Sequence, residues 1–101
     1  MGGMQSRATR LEAILTDAFS PVLLRVVDDS AQHAGHAGAR PERQTHYSVL
    51  LVSEAFVGMN RVARSRAVHA VLAAEFAGGL HALALSLRTP EENLKAGRTD
   101  D

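Results

Sequence analysis

Two apolar runs of strand character constrain this chain more than any other feature: His46–Ser53 (HYSVLLVS) and Leu80–Leu87 (LHALALSL). A hairpin would join them through a few residues, but they are joined by a helical stretch of about 27 residues, ample for a right-handed crossover between parallel strands. Parallel pairing would bring the starting ends of both runs to one edge of a sheet.

The remaining elements follow from periodicity and punctuation. Leu11, Ile14, Leu15, Ala18 and Phe19 form one apolar helical stripe, so a first helix is placed over Arg7–Phe19, stopped by Pro21. Val22–Val27 is a β-branched run read as the first strand, ended by Asp28-Asp29-Ser30. From there to Thr45 lies a loop rich in Gly, Ala, Arg and His, longer than the usual ~2–6 residues. It would join the first two strands as an antiparallel pair. Phe56-Val57-Gly58 breaks the second strand, and a short helical turn around Asn60 leads into a main helix carrying Ala63, Ala67, Val68, Val71, Leu72 and Phe76, with Glu75 the one polar intruder. Gly78-Gly79 supplies its stop. In the third strand Leu83, Leu85 and Leu87 share one face, and the small residues opposite suit a closely packed helix. Thr89-Pro90-Glu91-Glu92 is a capping box with Pro at the first helical position, opening a brief last helix. The order is α-β-β-α-α-β-(α), an α/β (α+β) fold with a three-stranded mixed sheet and helices on one face. One domain over residues 7–96 is expected between a disordered segment 1–6 and a frayed tail 97–101.

Composition narrows the function. At 101 residues, with 46% hydrophobic and 22% charged, the chain suits a single soluble domain. Its formal net charge of zero weighs against gripping nucleic acid through bulk positive charge. With no cysteine it forms no disulfide and cannot by itself supply thiolates to zinc or an iron–sulfur cluster. No apolar run approaches the ~20 residues of a spanning helix, and the polar start lacks a signal-peptide core, so a cytoplasmic protein is expected. No Ser/His/Asp spacing or phosphate loop stands out, and Asp28-Asp29 and Glu91-Glu92 sit at element ends as turn and cap residues. No catalytic residue is assigned: the chain reads as a binding protein, not an enzyme.

The topology carries a consequence for the histidines. With the second and third strands parallel, the loop bearing His33 and His36 hangs over the edge where His81 begins the third strand. Neighbouring strands lie about 4.8 Å apart, so a loop imidazole could stand beside His81 as a ligand pair. His46, at a strand start beside Tyr47, and His69, beside an apolar helix face, are read as structural or surface residues.

The segments Asp28–His33, Thr45-His46-Tyr47, Phe56-Val57-Gly58, Arg64–His69 and Leu80–Leu85 together resemble the BolA family, over about Arg7 to Pro90; the VHALAL-like segment Leu80–Leu85 is the most specific. The resemblance implies a fold related to the class II KH domain. It also implies a partner, a monothiol glutaredoxin, with which BolA-like proteins share a [2Fe–2S] cluster. The glutaredoxin would give a cysteine, its bound glutathione another thiolate, and this chain histidine. The family's C-terminal histidine ligand falls on His81 and the loop ligand on His33, with His36 in an echoing His-Ala-Gly as its competitor. Where family members carry Arg-His-Arg at the main helix, this chain has Arg64-Ser65-Arg66, which removes any role of that middle histidine.

The rival reading is a DNA-binding transcriptional regulator working through the KH-like helical face. Arg61, Arg64 and Arg66 bunch where a KH domain would clamp a phosphate backbone. Arginines at a helix N-terminus oppose the helix dipole, which points to service of an acidic or phosphate partner. Gly35-His36-Ala37-Gly38 matches GxxG, but lies between two strands and not between two helices, the wrong context for a KH clamp.

Overall fold

The computed structural model describes residues 6–29 and 46–99, with side chains through Ala96. His33 and His36 lie outside the described residues, as do most of the two terminal segments.

Helix α1 spans Arg7–Phe19. Ser6 caps it, its Oγ accepting from the Thr9 backbone N–H at 3.1 Å. Ser20 closes it in the left-handed region at φ 46°, donating its N–H to Thr16 O. Leu11 and Leu15 are buried, one turn apart on the stripe facing the core.

Strands β1 (Leu23–Asp28), β2 (His46–Val52) and β3 (Ala82–Arg88) form one sheet in the order β1-β2-β3. β1 runs antiparallel to β2, with Leu24 opposite Leu51 and Val26 opposite Val49. β2 runs parallel to β3, with His46 opposite Ala82 and Val49 opposite Leu85. Parallel pairing follows from the helical crossover: α2 (Arg61–Val71) and α3 (Ala73–Ala77) fill the connection.

One sheet face carries Leu24 and Val26, then Tyr47, Val49 and Leu51, then Leu83, Leu85 and Leu87. Leu11 and Leu15 from α1, with Phe56, Val68, Leu72 and Leu80, close the core over it. The other face corrects an expectation. Ala82, Ala84 and Ser86 are exposed. The helices bury the leucine face, because that is where apolar area is removed from water.

The helical connection also divides differently from the reading above. The short turn is a 3-10 helix at Glu54–Phe56, capped by Ser53. Asn60 is the N-cap of α2: its Oδ1 accepts from the Ala63 N–H at 2.8 Å. The main helix breaks at Leu72, whose buried side chain stays in the core. The capping box forms as expected: Glu92 N–H donates to Thr89 Oγ1 at 3.1 Å, and Thr89 N–H to Glu92 Oε1 at 2.9 Å. It opens α4, which runs Pro90–Thr99, past the Gly97 at which a tail was expected.

Candidate functional site: an imidazole rim and an arginine-anchored groove

The starting ends of β2 and β3 make a rim. His81 immediately precedes β3, between Leu80, which is 4% exposed, and Ala82. Leu80 donates its N–H to Glu75 O at 2.9 Å, closing the end of α3. Behind this turn, Glu75 joins α3 to α1. It takes Arg7 Nε at 3.0 Å and Arg10 Nε at 2.9 Å, while Arg7 Nη2 reaches Gly78 O at 3.0 Å. The polar intruder of the helical stripe is therefore the tie that fixes the approach to His81. Hydrogen bonding from Arg10 holds the Glu75 carboxyl below its ordinary value, with both arginines' charges adding. Gly79 lies at φ 123°, a backbone conformation that suits glycine, and packs against the Arg7 guanidinium.

His81 is exposed, and the imidazole beside it is that of His46, also exposed: the ring centres are 6.1 Å apart with planes at 35°. The sequence reading set His46 aside. The signal that finds it is the parallel register, since His46 opposite Ala82 puts it diagonal to His81. Below the rim Tyr47 is buried, and burial, with the Asp28 carboxylate adding, raises its phenol above the ordinary value and keeps it protonated. Ser48 Oγ donates to Asp29 Oδ2, at the root from which residues 30–45 depart. Those residues return at His46, so both roots of the segment carrying His33 and His36 lie at this end of the sheet.

His69 stands apart. Its ring stacks on Phe76, with centres 5.1 Å apart and planes at 16°, and its Nδ1 lies 2.9 Å from Ser65 O. Among the described residues no group of three or more His, Cys, Asp or Glu side chains is placed to hold a metal ion.

The three arginines of the rival reading separate. Arg61 and Arg66 are exposed, while Arg64 is 8% exposed. Arg64 makes a two-pronged pair with Glu92, Nη1 to Oε1 at 2.7 Å and Nη2 to Oε2 at 3.1 Å. It also donates to Met59 O at 2.9 Å and Leu87 O at 3.1 Å, and its guanidinium sits 5.7 Å from the Phe56 ring centre. The acidic partner anticipated for these arginines is, for Arg64, this chain's own α4. Arg64 bonding, with the Thr89 N–H contributing, lowers the Glu92 carboxyl to about 2. Beside this anchor runs a groove of about 960 Å³ between α2 and β3, lined by Asn60, Arg61, Ser65, His69, Leu85 and Arg88 among others.

Among the described residues no helix is long and apolar enough to cross a membrane. Residues 15–92 match the family model described as BolA-like protein. The chain is 44% identical over 94 residues to "Protein BOLA1, chloroplastic" of Arabidopsis thaliana, covering 91% of this chain and 59% of that relative's length. It is 41% identical over 83 residues to "DNA-binding transcriptional regulator BolA" of Escherichia coli strain K12, covering 82% of this chain and 75% of that one. The solved structure of BolA1 from Arabidopsis thaliana superposes with a TM-score of 0.79 at 42% identity, over 89% of this chain and 98% of that one. With sequence, topology and register all in agreement, the chain belongs to the BolA-like family.

Proposed function

We propose that this protein is an adaptor, not an enzyme, that pairs with a monothiol glutaredoxin to share a [2Fe–2S] cluster in iron–sulfur trafficking or iron and redox sensing. The observation that carries the reading is the exposed His81 ring, held at the sheet rim by a braced turn and set where the segment bearing His33 and His36 rejoins the sheet. The donor set fits such a shared group. A chain without cysteine offers no thiolate, so the thiolates would come from the partner's cysteine and its glutathione, with imidazole from this chain. His81 would be one ligand, and His33, or His36 in its place, the second. Replacing thiolate by imidazole raises a cluster's potential and makes ligation compete with protons, which suits transfer or sensing.

The test is reconstitution. The chain alone is expected to be colourless and monomeric or weakly self-associated. Mixed with a monothiol glutaredoxin, glutathione, iron and sulfide, it should yield a coloured heterodimer. His81→Ala should alter or abolish the visible spectrum; an unchanged spectrum removes His81 as a ligand. His33→Ala against His36→Ala identifies the second ligand, and equal, negligible effects place it elsewhere.

A second reading, DNA binding, rests on the groove beside α2 that the exposed Arg61 lines, on the exposed Arg66 of the same helix, and on the name of the Escherichia coli relative. Its test is duplex-DNA affinity against salt for the native chain and for Arg61→Ala/Arg66→Ala, where a shallower salt slope is expected. Arg64 is unsuitable as a test position because its loss would strip the fold of its anchor. Equal slopes discard the arginines as a DNA contact.

A further inference from the structure

We infer that His46 and His81 form a two-imidazole site for one borderline divalent transition-metal ion, such as Zn²⁺, that the chain binds without any partner. The inference uses the same rim as the cluster reading but does not rest on it.

The geometry comes first. Two imidazoles on one tetrahedral ion, with Zn–N of about 2.0–2.1 Å, have ring centres roughly 5 Å apart, and farther when the angle opens. The observed separation is 6.1 Å. Both side chains are exposed, so a modest rotation about their χ angles brings a nitrogen of each to a common point without disturbing the core.

Support for the two rings is unequal in origin but alike in effect. His46 is the first residue of β2 and is followed by the buried Tyr47. His81 follows the buried Leu80, whose N–H is held by Glu75 O. Each histidine is thus flanked by a buried neighbour that fixes its backbone, and the parallel register fixes one backbone against the other. Pre-set ligand backbones reduce the ordering cost of binding. Imidazole is a donor for Zn²⁺, Ni²⁺ and Cu²⁺ and a poor match for Mg²⁺ or Ca²⁺, which take oxygen. With two protein ligands, water would complete the coordination.

The experiment is titration of the purified full chain with ZnCl₂, followed by the histidine ring proton resonances. One Zn²⁺ per chain should shift His46 and His81 together and leave His69 in place. His46→Ala and His81→Ala should each weaken binding by about tenfold or more, with amide spectra showing that both variants remain folded. His69→Ala should have no effect. The inference is overturned if His46→Ala binds Zn²⁺ like the native chain, if His33→Ala or His36→Ala abolishes binding while His46→Ala does not, or if MgCl₂ gives the same shifts. The two readings fail separately. Zn²⁺ binding with no coloured heterodimer sinks the cluster reading alone; a coloured heterodimer from a chain that ignores Zn²⁺ sinks this one alone.

Discussion

The two ends of the β2–β3 pair treat polar groups in opposite ways. At the finishing end everything is spent on the chain itself. Arg64 ties α2 to β3 and α4, Ser53 N–H donates to Arg88 O at 2.9 Å, and Ser53 Oγ donates to Phe19 O at 2.6 Å. At the starting end the ties lie one layer back, in Glu75, Arg7 and Arg10, and the imidazoles in front of them stay exposed. The buried polar groups that close the fold are thereby set apart from the imidazoles exposed at the rim.

The contrast breaks most sharply at Arg64. Arg64→Ala removes four hydrogen-bonded contacts from a buried guanidinium, and should cost about 2–3 kcal/mol in urea unfolding, below a fully buried pair because Glu92 is half exposed. A loss under about 0.5 kcal/mol, the scale of an ordinary surface change, would show that this end is not closed by Arg64. Glu75→Ala should cost about 1–2 kcal/mol, since Arg10 is 39% exposed and Arg7 keeps its bond to Gly78 O once the carboxylate is gone. It should also broaden the His81 ring signals, an effect Arg64→Ala should not produce.

Acid sharpens the comparison further. The Glu92 carboxyl is depressed to about 2, so its contribution to stability is complete above the ordinary carboxylate value of 4.5 and fades as pH falls toward 2. Glu75 is lowered too and works in the same direction. Thermal melts of Glu92→Gln should therefore differ from the native chain at neutral pH and converge with it as pH approaches 2; a gap that stays constant would remove the carboxylate's charge as the cause. The smallest effect belongs to the rim. His46→Ala and His81→Ala should each move stability by no more than about 0.5 kcal/mol, as exposed positions do. A larger loss at either would mean that the imidazole supports the fold.

Much of this architecture was legible in the chain. Parallel pairing followed from the helical spacing between two strand runs, and the last helix from Thr89 and Glu92. The misread face at Ala82, Ala84 and Ser86 has a physical reason: small residues suit close packing and open surface alike, and the leucines opposite decide which face the helices take. The break at Leu72 left no trace because neither Gly nor Pro marks it and the apolar period runs on. Arg64 was invisible as an anchor because its carboxylate partner lies 28 residues away, beyond any local pattern. The position of His81 at the rim, just before β3, was legible from the topology. The nearness of His46 to His81 follows from the same topology, though a strand-start histidine next to a tyrosine has no distinguishing local signature.

The parallel register also governs when the rim comes into being. His46 begins β2 and His81 immediately precedes β3, at the two ends of a crossover, so they become neighbours only once β3 has docked against β2. Such non-local pairing is intrinsically slow to form, because its loop-closure entropy must be met before its contacts are made. A chain still emerging during synthesis carries His46 with no second ring opposite it, so a partner or ion that needs both imidazoles recognises the finished domain and passes over its precursors.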